Sequence, residues 1–231
     1  GDSGGEAARR GERNGGGSAA RAAPGGAPEN AVPGYEPIET PARLIGAGSY
    51  ETVLEMERAR ELFSRAREAK RIAFDSETDS LDEMVARPVG FSLSWAPKEG
   101  YYFPLKGPDG PVLPEGEIRE LLKELLEEPS VELVGQNLKY DYKVLARWGV
   151  EMANIYFDTM IAAWLIDASA NSYGMDALAR RYLSYETVHY ADLFEGKGTE
   201  EKPFSEVPLE TAGHYAAEDA DITWRLYELF A

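Results

Sequence analysis

The stretch FDSETDSL, residues 74–81, sets Asp75, Glu77 and Asp79 within five positions, directly after the apolar run Ile72-Ala73-Phe74. Side chains two apart on a strand share a face, so Asp75 and Glu77 project together where a strand leaves its sheet. Two carboxylates in one small volume repel each other, and without a counter-charge each raises the pKa of the other. Asp79 and Ser80 carry turn chemistry, so one reading is a solvated turn that opens a meander. The other is a site in which bound cations offset the repulsion. Taken alone, the stretch reads better as the turn.

Working outward, residues 55–69 (EMERARELFSRAREA) predict a helix with Met56, Ala59, Leu62, Phe63 and Ala66 on one face. IAFDSE, PVGFSLSWA and GYYFPL have strand character and are separated by Asp79, Ser80, Pro97 and Gly100, which predicts an antiparallel meander. Then the pattern alternates: helix 116–127, strand 131–134, helix 137–148, a short strand near Ile155-Tyr156, and helices to the end. The expected fold class is α/β, a mixed central sheet with an antiparallel meander followed by parallel strands, flanked by helices. Trp95, Trp148, Trp164 and Trp224 are expected in the core.

At 231 residues the chain can bury one large core, and one domain over residues 40–231 is the economical division. Residues 1–34 hold ten of the 23 glycines and show no hydrophobic period, which predicts a flexible linker and a chain once joined to something upstream. Cysteine is absent, so thiolate metal sites are excluded, and with only His189 and His214 present a metal is expected to rely mainly on oxygen ligands, which suit magnesium, manganese or calcium. No apolar run reaches membrane-spanning length, and a reducing cytoplasm is the expected compartment. The net charge of −17 argues against general affinity for a polyanion.

Two further stretches carry chemistry. In VGQNLKYDYKVLARWG, residues 134–149, Asn137 stands where a helix is capped, and Asp141 lies four residues on, where a carboxylate also complements the helix dipole. HYAAEDADITWRLYELF, residues 214–230, sets Tyr215 four residues before Asp219 on one helical face, a pattern that a simple hydrogen-bonded pair also satisfies. Glu218 and Asp221 read as surface acids.

The order of these blocks, a strand-end D-x-E, then N-x-x-x-D, then Y-x-x-x-D, resembles the DEDD-type 3′-to-5′ exonucleases of the tyrosine subclass. FDSETDSL, VGFSL, VGQNLKYD, FDTMIAAWLID, MDALARRYL and YAAEDAD are similar to the proofreading domain of the bacterial family A polymerases, over residues 48–231. The resemblance implies a ribonuclease-H-like fold, Asp75, Glu77, Asp141 and Asp219 as metal ligands, and Tyr215 beside the attacking water. It implies two divalent ions, Mg2+ first, with Mn2+ or Zn2+ as substitutes. It places Asp75 between the two metals, Glu77 and Asp219 around one, and Asp141 on the other. Leu81 and Tyr190 fall where relatives wedge and stack terminal bases. Gln136, Asn137, Lys139, Tyr140 and Arg180 complete the expected nucleic-acid contacts.

Phosphodiester hydrolysis needs an activated water, a stabilised anionic transition state and a neutralised leaving oxygen, which two divalent ions about 4 Å apart supply. An acidic pocket loaded with metal attracts phosphate locally, so the overall charge does not forbid a nucleic-acid end as substrate. The implied partners are a single-stranded 3′ end of DNA, a following polymerase domain and an upstream 5′-nuclease domain. Two departures stand out: Ser76 replaces the usual threonine, and Ser172-Tyr173-Gly174 stands where relatives often place a histidine or arginine. The alternatives are a catalytically silent structural module and a stand-alone RNase D-like exoribonuclease.

Overall fold

In the computed structural model, residues 38–194 and 203–231 are described; the predicted linker over 1–34 lies outside them. The strand that carries FDSET, β2 (Arg71–Thr78), pairs antiparallel with β3 (Pro88–Ser94), which pairs antiparallel with β4 (Glu99–Pro104). That is the predicted meander. β7 (Glu132–Gly135) lies parallel to β2, and β8 (Ile155–Asp158) lies parallel to β7. The other edge is β1 (Ser49–Thr52), parallel to β4, and the six-stranded order is β1-β4-β3-β2-β7-β8. β1 goes beyond the sequence reading, because four residues are too few to show a period. A small hairpin of β5 (Lys106–Gly107) and β6 (Gly110–Pro111) follows the meander.

The helices are α1 (Met56–Ala69), α2 (Glu115–Leu126), α3 (Leu138–Trp148), α4 (Thr159–Ile166), α5 (Met175–Leu178), which continues in a π-helical turn, and α6 (Leu209–Phe230). They cover the two sheet faces unequally, and β2 shows how. Ile72 and Phe74 pack in one cluster with Leu62 and Phe63 of α1, Leu122 of α2 and Leu145 of α3. Ala73 points the other way, to Trp224 and Tyr227 of α6. Continuing the alternation, Ser76 faces the α1–α3 side, and Asp75 and Glu77 face α6. The sequence period thus decides which helix can meet which acid.

Close approach of α6 to the sheet depends on two glycines. A Cβ on Gly213 would lie 1.7 Å from Thr52 Oγ1, and one on Gly100 would lie 2.1 Å from the Ala217 carbonyl oxygen. Gly100 is therefore not the turn residue expected from the sequence; it sits inside β4 beneath the helix. The turn itself is made at Lys98, whose φ is +69°.

Below the site, α6 is tied down by a buried ion pair. Asp221 and Arg225 are both fully buried, and Asp221 Oδ1 accepts from Arg225 Nε at 2.9 Å and from the Lys98 N–H at 2.6 Å. The Tyr50 hydroxyl donates to Asp221 Oδ2 at 2.8 Å, and Arg225 Nη1 donates to the Gly46 carbonyl at 2.6 Å. Asp221 is thus no surface acid: it joins β1, the β3–β4 turn and α6. Trp164 also departs from expectation, since it is 51% exposed on α4, whereas Trp224 is buried and Trp95 and Trp148 pack against the core. α4 is apolar on all sides, so the sequence does not tell which face turns inward. Among the described residues no helix is long and apolar enough to cross a membrane.

Candidate active site

Strand β2 and helix α6 bring three of the predicted ligands together: Asp75, Glu77 and Asp219 each offer a carboxylate oxygen, and these oxygens lie within 4.8 Å of one another. Glu77 is buried and the other two are half-buried. Burial drives the pKa of Asp75 well above the usual carboxylate range, reinforced by the charges of Asp141, Glu77 and Asp219. Glu77 is raised in the same way, by burial and then by Asp219 and Asp141. Burial, then the charge of Glu218, raises Asp219, while the Tyr215 hydroxyl hydrogen-bonded to it acts in the opposite sense. Burial and the surrounding acids raise the phenol of Tyr215 so far that it remains a protonated donor.

Such a cluster is costly without positive charge, and among the described residues no ion pair joins Asp75, Glu77 or Asp219 to a basic side chain. All the donors are hard anionic oxygens. That set fits magnesium- or manganese-like cations and is poor for soft metals.

Asp141 enters from the other side. It lies in the first turn of α3, over the sheet face opposite α6, and is 3% exposed. Its Oδ1 accepts the Ser76 N–H at 3.1 Å and the Ser76 hydroxyl at 2.5 Å. It therefore stands outside the three-carboxylate group, next to the strand that carries two of its members. Burial raises its pKa to about 7, against the lowering effect of the Ser76 hydrogen bonds. The hydroxyl at position 76 thus holds the fourth acid in place.

Around this centre, Gln136, Tyr140 and Arg180 among the predicted nucleic-acid contacts already hydrogen-bond within the protein. The Tyr140 hydroxyl donates to the Ser80 carbonyl at 2.5 Å and lies 2.6 Å from the Thr78 hydroxyl, bracing the loop that displays Leu81, which is 85% exposed. Gln136 donates to the Tyr173 carbonyl at 2.8 Å and accepts from the Thr159 hydroxyl. Arg180 makes a two-pronged contact with Glu186 at 2.8 and 2.9 Å. Lys139 is exposed. Tyr190 is 42% exposed, and its ring lies 6.1 Å from that of Tyr215, edge to face. Asn137 adopts the left-handed conformation, φ +60°, and makes no capping bond, so its predicted role as helix cap is corrected.

The cap comes from a residue the sequence reading passed over. Asp158, at the end of β8, accepts the N–H groups of Asn137 at 3.2 Å and Leu138 at 2.9 Å, and those of Met160 at 3.0 Å and Ile161 at 3.3 Å. One carboxylate thereby caps α3 and α4 together. Only the second of these is local, so the signal legible in the sequence is an Asp directly before the TMIAAWLI run. Asp158→Ala is expected to lower stability by about 2 kcal/mol, roughly two helix caps, read as a shift of the urea midpoint with unchanged slope. The reading of Glu218 is also corrected. The residue is buried, not a surface acid, and accepts from the Tyr185 hydroxyl and the Val188 N–H, both at 2.7 Å, which holds the segment before Tyr190 against α6.

A family described as 3′-5′ exonuclease, of the DNA polymerase A type, matches residues 50–231. DNA polymerase I of Pseudomonas aeruginosa is 38% identical over 184 residues, covering 78% of this chain and 20% of that polymerase. DNA polymerase I of Borreliella burgdorferi is 37% identical over 170 residues, covering 74% of this chain and 18% of that polymerase. The chain therefore spans about a fifth of the length of these relatives. Among solved structures, the Aedes aegypti Nibbler EXO domain aligns at a TM-score of 0.55 and 16% identity, over 78% of this chain and 85% of that one. Pol1 of M. smegmatis aligns at 0.52 and 20% identity, over 77% and 27%. The fold is the ribonuclease-H-like one that the resemblance implied.

Proposed function

Because the chain belongs to the 3′-5′ exonuclease family of the polymerase A type, we propose that it trims nucleotides from single-stranded or frayed 3′ ends of DNA, as the proofreading domain, over residues 40–231, of a DNA polymerase I. The observation that carries this reading is the three-carboxylate cluster on β2 and α6, which lacks any basic partner among the described residues. Asp75, Glu77 and Asp219 would hold one divalent cation, and Asp75 with Asp141 a second, Mg2+ first and Mn2+ or Zn2+ in its place. When bound, such ions lower the pKa of water and offset charge on the phosphate. The protein's own share is orientation. The Tyr215 hydroxyl, held protonated and donating to Asp219, can accept an O–H of the attacking water, which leaves a lone pair of that water to face the phosphorus, and stays out of proton removal. Tyr190 beside it offers a ring for the terminal base, Leu81 a wedge, and Asn137 and Lys139 polar contacts, while Gln136, Tyr140 and Arg180 act by bracing neighbouring segments.

With so acidic a surface, affinity for long DNA would come from elsewhere in the longer protein: a polymerase domain after this one and a 5′-nuclease domain before it. Its setting would be the cytoplasm, with the nucleoid.

The test is degradation of 3′-labelled single-stranded DNA and RNA with and without magnesium. Release of terminal mononucleotides from DNA, abolished by chelator, is expected. Faster release from RNA would favour an RNase D-like enzyme, and intact DNA in both magnesium and manganese would favour a silent module.

A second readout is independent of turnover. A carboxyl whose folded-state pKa exceeds its unfolded one binds more protons when folded, so its contribution to stability falls as pH rises between the two values. For Asp141 that window runs from about 4, the unfolded value, to about 7, and Asp75, Glu77 and Asp219 shift in the same direction. The metal-free protein should therefore lose stability from pH 5 to pH 8, and magnesium should restore it mainly at the upper end. At a hundredfold excess over Kd the gain is about 2.7 kcal/mol, roughly 5–10 °C in Tm. A magnesium effect as large at pH 5 as at pH 8 would contradict the proposed ligands.

A further inference from the structure

Away from the acid cluster, a cavity of about 300 Å³ lies between the loop that joins β2 to β3, strand β5, the start of α2 and the end of α3. Arg87 of the loop, Lys106 of β5 and Arg147 of α3 line it, and Glu115 of α2 is the acid among its lining residues. Glu115 is already engaged, accepting from Trp148 Nε1 at 2.9 Å. Arg147 Nη1 donates to the Glu83 and Ala86 carbonyls, both at 3.1 Å, which fixes the guanidinium without cancelling its charge. Among the described residues no acid forms an ion pair with Arg87, Lys106 or Arg147, whereas Arg58, Arg67, Arg71 and Arg180 each hold a carboxylate. Acids outnumber bases by 41 to 24 in this chain, yet none neutralises these three. Three cations brought to one cavity by three separate elements suit an oxyanion. A phosphate has acceptor oxygens enough for all of them, taking the fork of an arginine and the point charge of a lysine.

The placement of the cavity indicates where the phosphate comes from. Pro88, which also lines it, pairs with Thr78, the residue directly after Glu77, and the Arg87 N–H donates to Asp79 Oδ1 at 2.8 Å. The loop that displays Leu81 thus starts beside the acid cluster and ends at the cavity. On α3, Arg147 lies roughly 9 Å beyond Asp141 along the helix axis. A strand that advances about 3.4 Å per nucleotide covers that distance in about three nucleotides.

We propose that the Arg87–Lys106–Arg147 cavity seats a backbone phosphate of the strand being trimmed, about three nucleotides upstream of its 3′ end. This rests on the functional reading above. The seat supplies one upstream contact and no general affinity for DNA, in keeping with the acidic surface around it. It also sets a shortest strand that the domain grips fully.

The test compares the 231-residue protein with its Arg87→Gln/Lys106→Gln variant, trimming a 3′-labelled dinucleotide and a single-stranded octanucleotide in magnesium. For the octanucleotide, KM is expected to rise about tenfold with kcat little changed, and the slope of log KM against log salt to fall by about 0.7, the share of one phosphate on a single strand. For the dinucleotide, which is too short to reach the cavity, KM should stay the same. An unchanged octanucleotide KM would overturn the proposal. So would an equal rise for both substrates, because the two cations would then act through the fold or through the general field. A second arm needs no turnover: inorganic phosphate titrated into the metal-free protein should shift the backbone amides of residues 86–87 and 106–107 in wild type and not in the variant. Those shifts with an unchanged octanucleotide KM would assign the cavity to free phosphate and overturn the strand as its source. Absence of shifts in wild type would overturn the anion site itself. Shifts in a wild-type protein that trims neither substrate would overturn the functional reading and leave the anion site standing.

Discussion

Asp75→Ala is expected to lower 3′ trimming of DNA by about a thousandfold or more, about 4 kcal/mol of lost transition-state stabilisation, while the metal-free protein becomes more stable at pH 8. The two effects have one cause. Asp75 belongs to the three-carboxylate group, and its charge also acts on Tyr215. Removing it takes away one of the proposed metal ligands and, in the same step, one of the mutually repelling acids whose pKa values burial has raised. Unfolding of metal-free wild type and variant, with single-turnover trimming in magnesium, checks both. A variant that lost activity together with metal-free stability would show Asp75 to be a structural acid, and the proposed metal site would fall with it.

The second large effect is on stability. Asp221→Ala should cost about 3–5 kcal/mol, because it leaves the Arg225 guanidinium buried without its anion, and strips the Tyr50 hydroxyl and the Lys98 N–H of their acceptor. Against a typical total of about 5–15 kcal/mol that is a severe loss, read as a lower urea midpoint. Replacing both members of the pair by apolar residues of similar volume should recover much of it, since removing two paired charges costs far less than orphaning one. If the single and the double variant were equally destabilised, the loss would come from shape and packing.

The first helix and the alternation that follows the meander are legible in the sequence because their periods are long enough to read, as in residues 55–69 and 131–148. Pairing of Asp75 with Glu77 follows from strand alternation alone, and Tyr215 above Asp219 from helical spacing. What escapes is tertiary. Asp158 serves α3 from twenty residues away, and Ser76 meets Asp141 across 65 positions. Glu218 and Asp221 look like solvated acids on a helix, and only the segment with Tyr185 and Val188 laid against the first, and the sheet laid against the second, turn them into buried anchors. Nor does any local pattern say that Asp141 approaches from the face opposite Asp219. Gln136, Tyr140 and Arg180, whose side chains suit a nucleic acid, also hydrogen-bond to residues the sequence does not link them to: Tyr173, Ser80 and Glu186.

Strand β2 lies inside the sheet, bonded to β3 on one side and β7 on the other, whereas β1 and β8 are the margins. Backbone amides of residues 72 and 73, flanked by both neighbours, should therefore exchange with deuterium only through complete unfolding, while those at the margins open by fraying. The strand with two of the acids is thus the last to let go. A protein partly loosened by heat would keep its chemistry until the whole domain melts, and inactivation should track the global transition with no earlier phase.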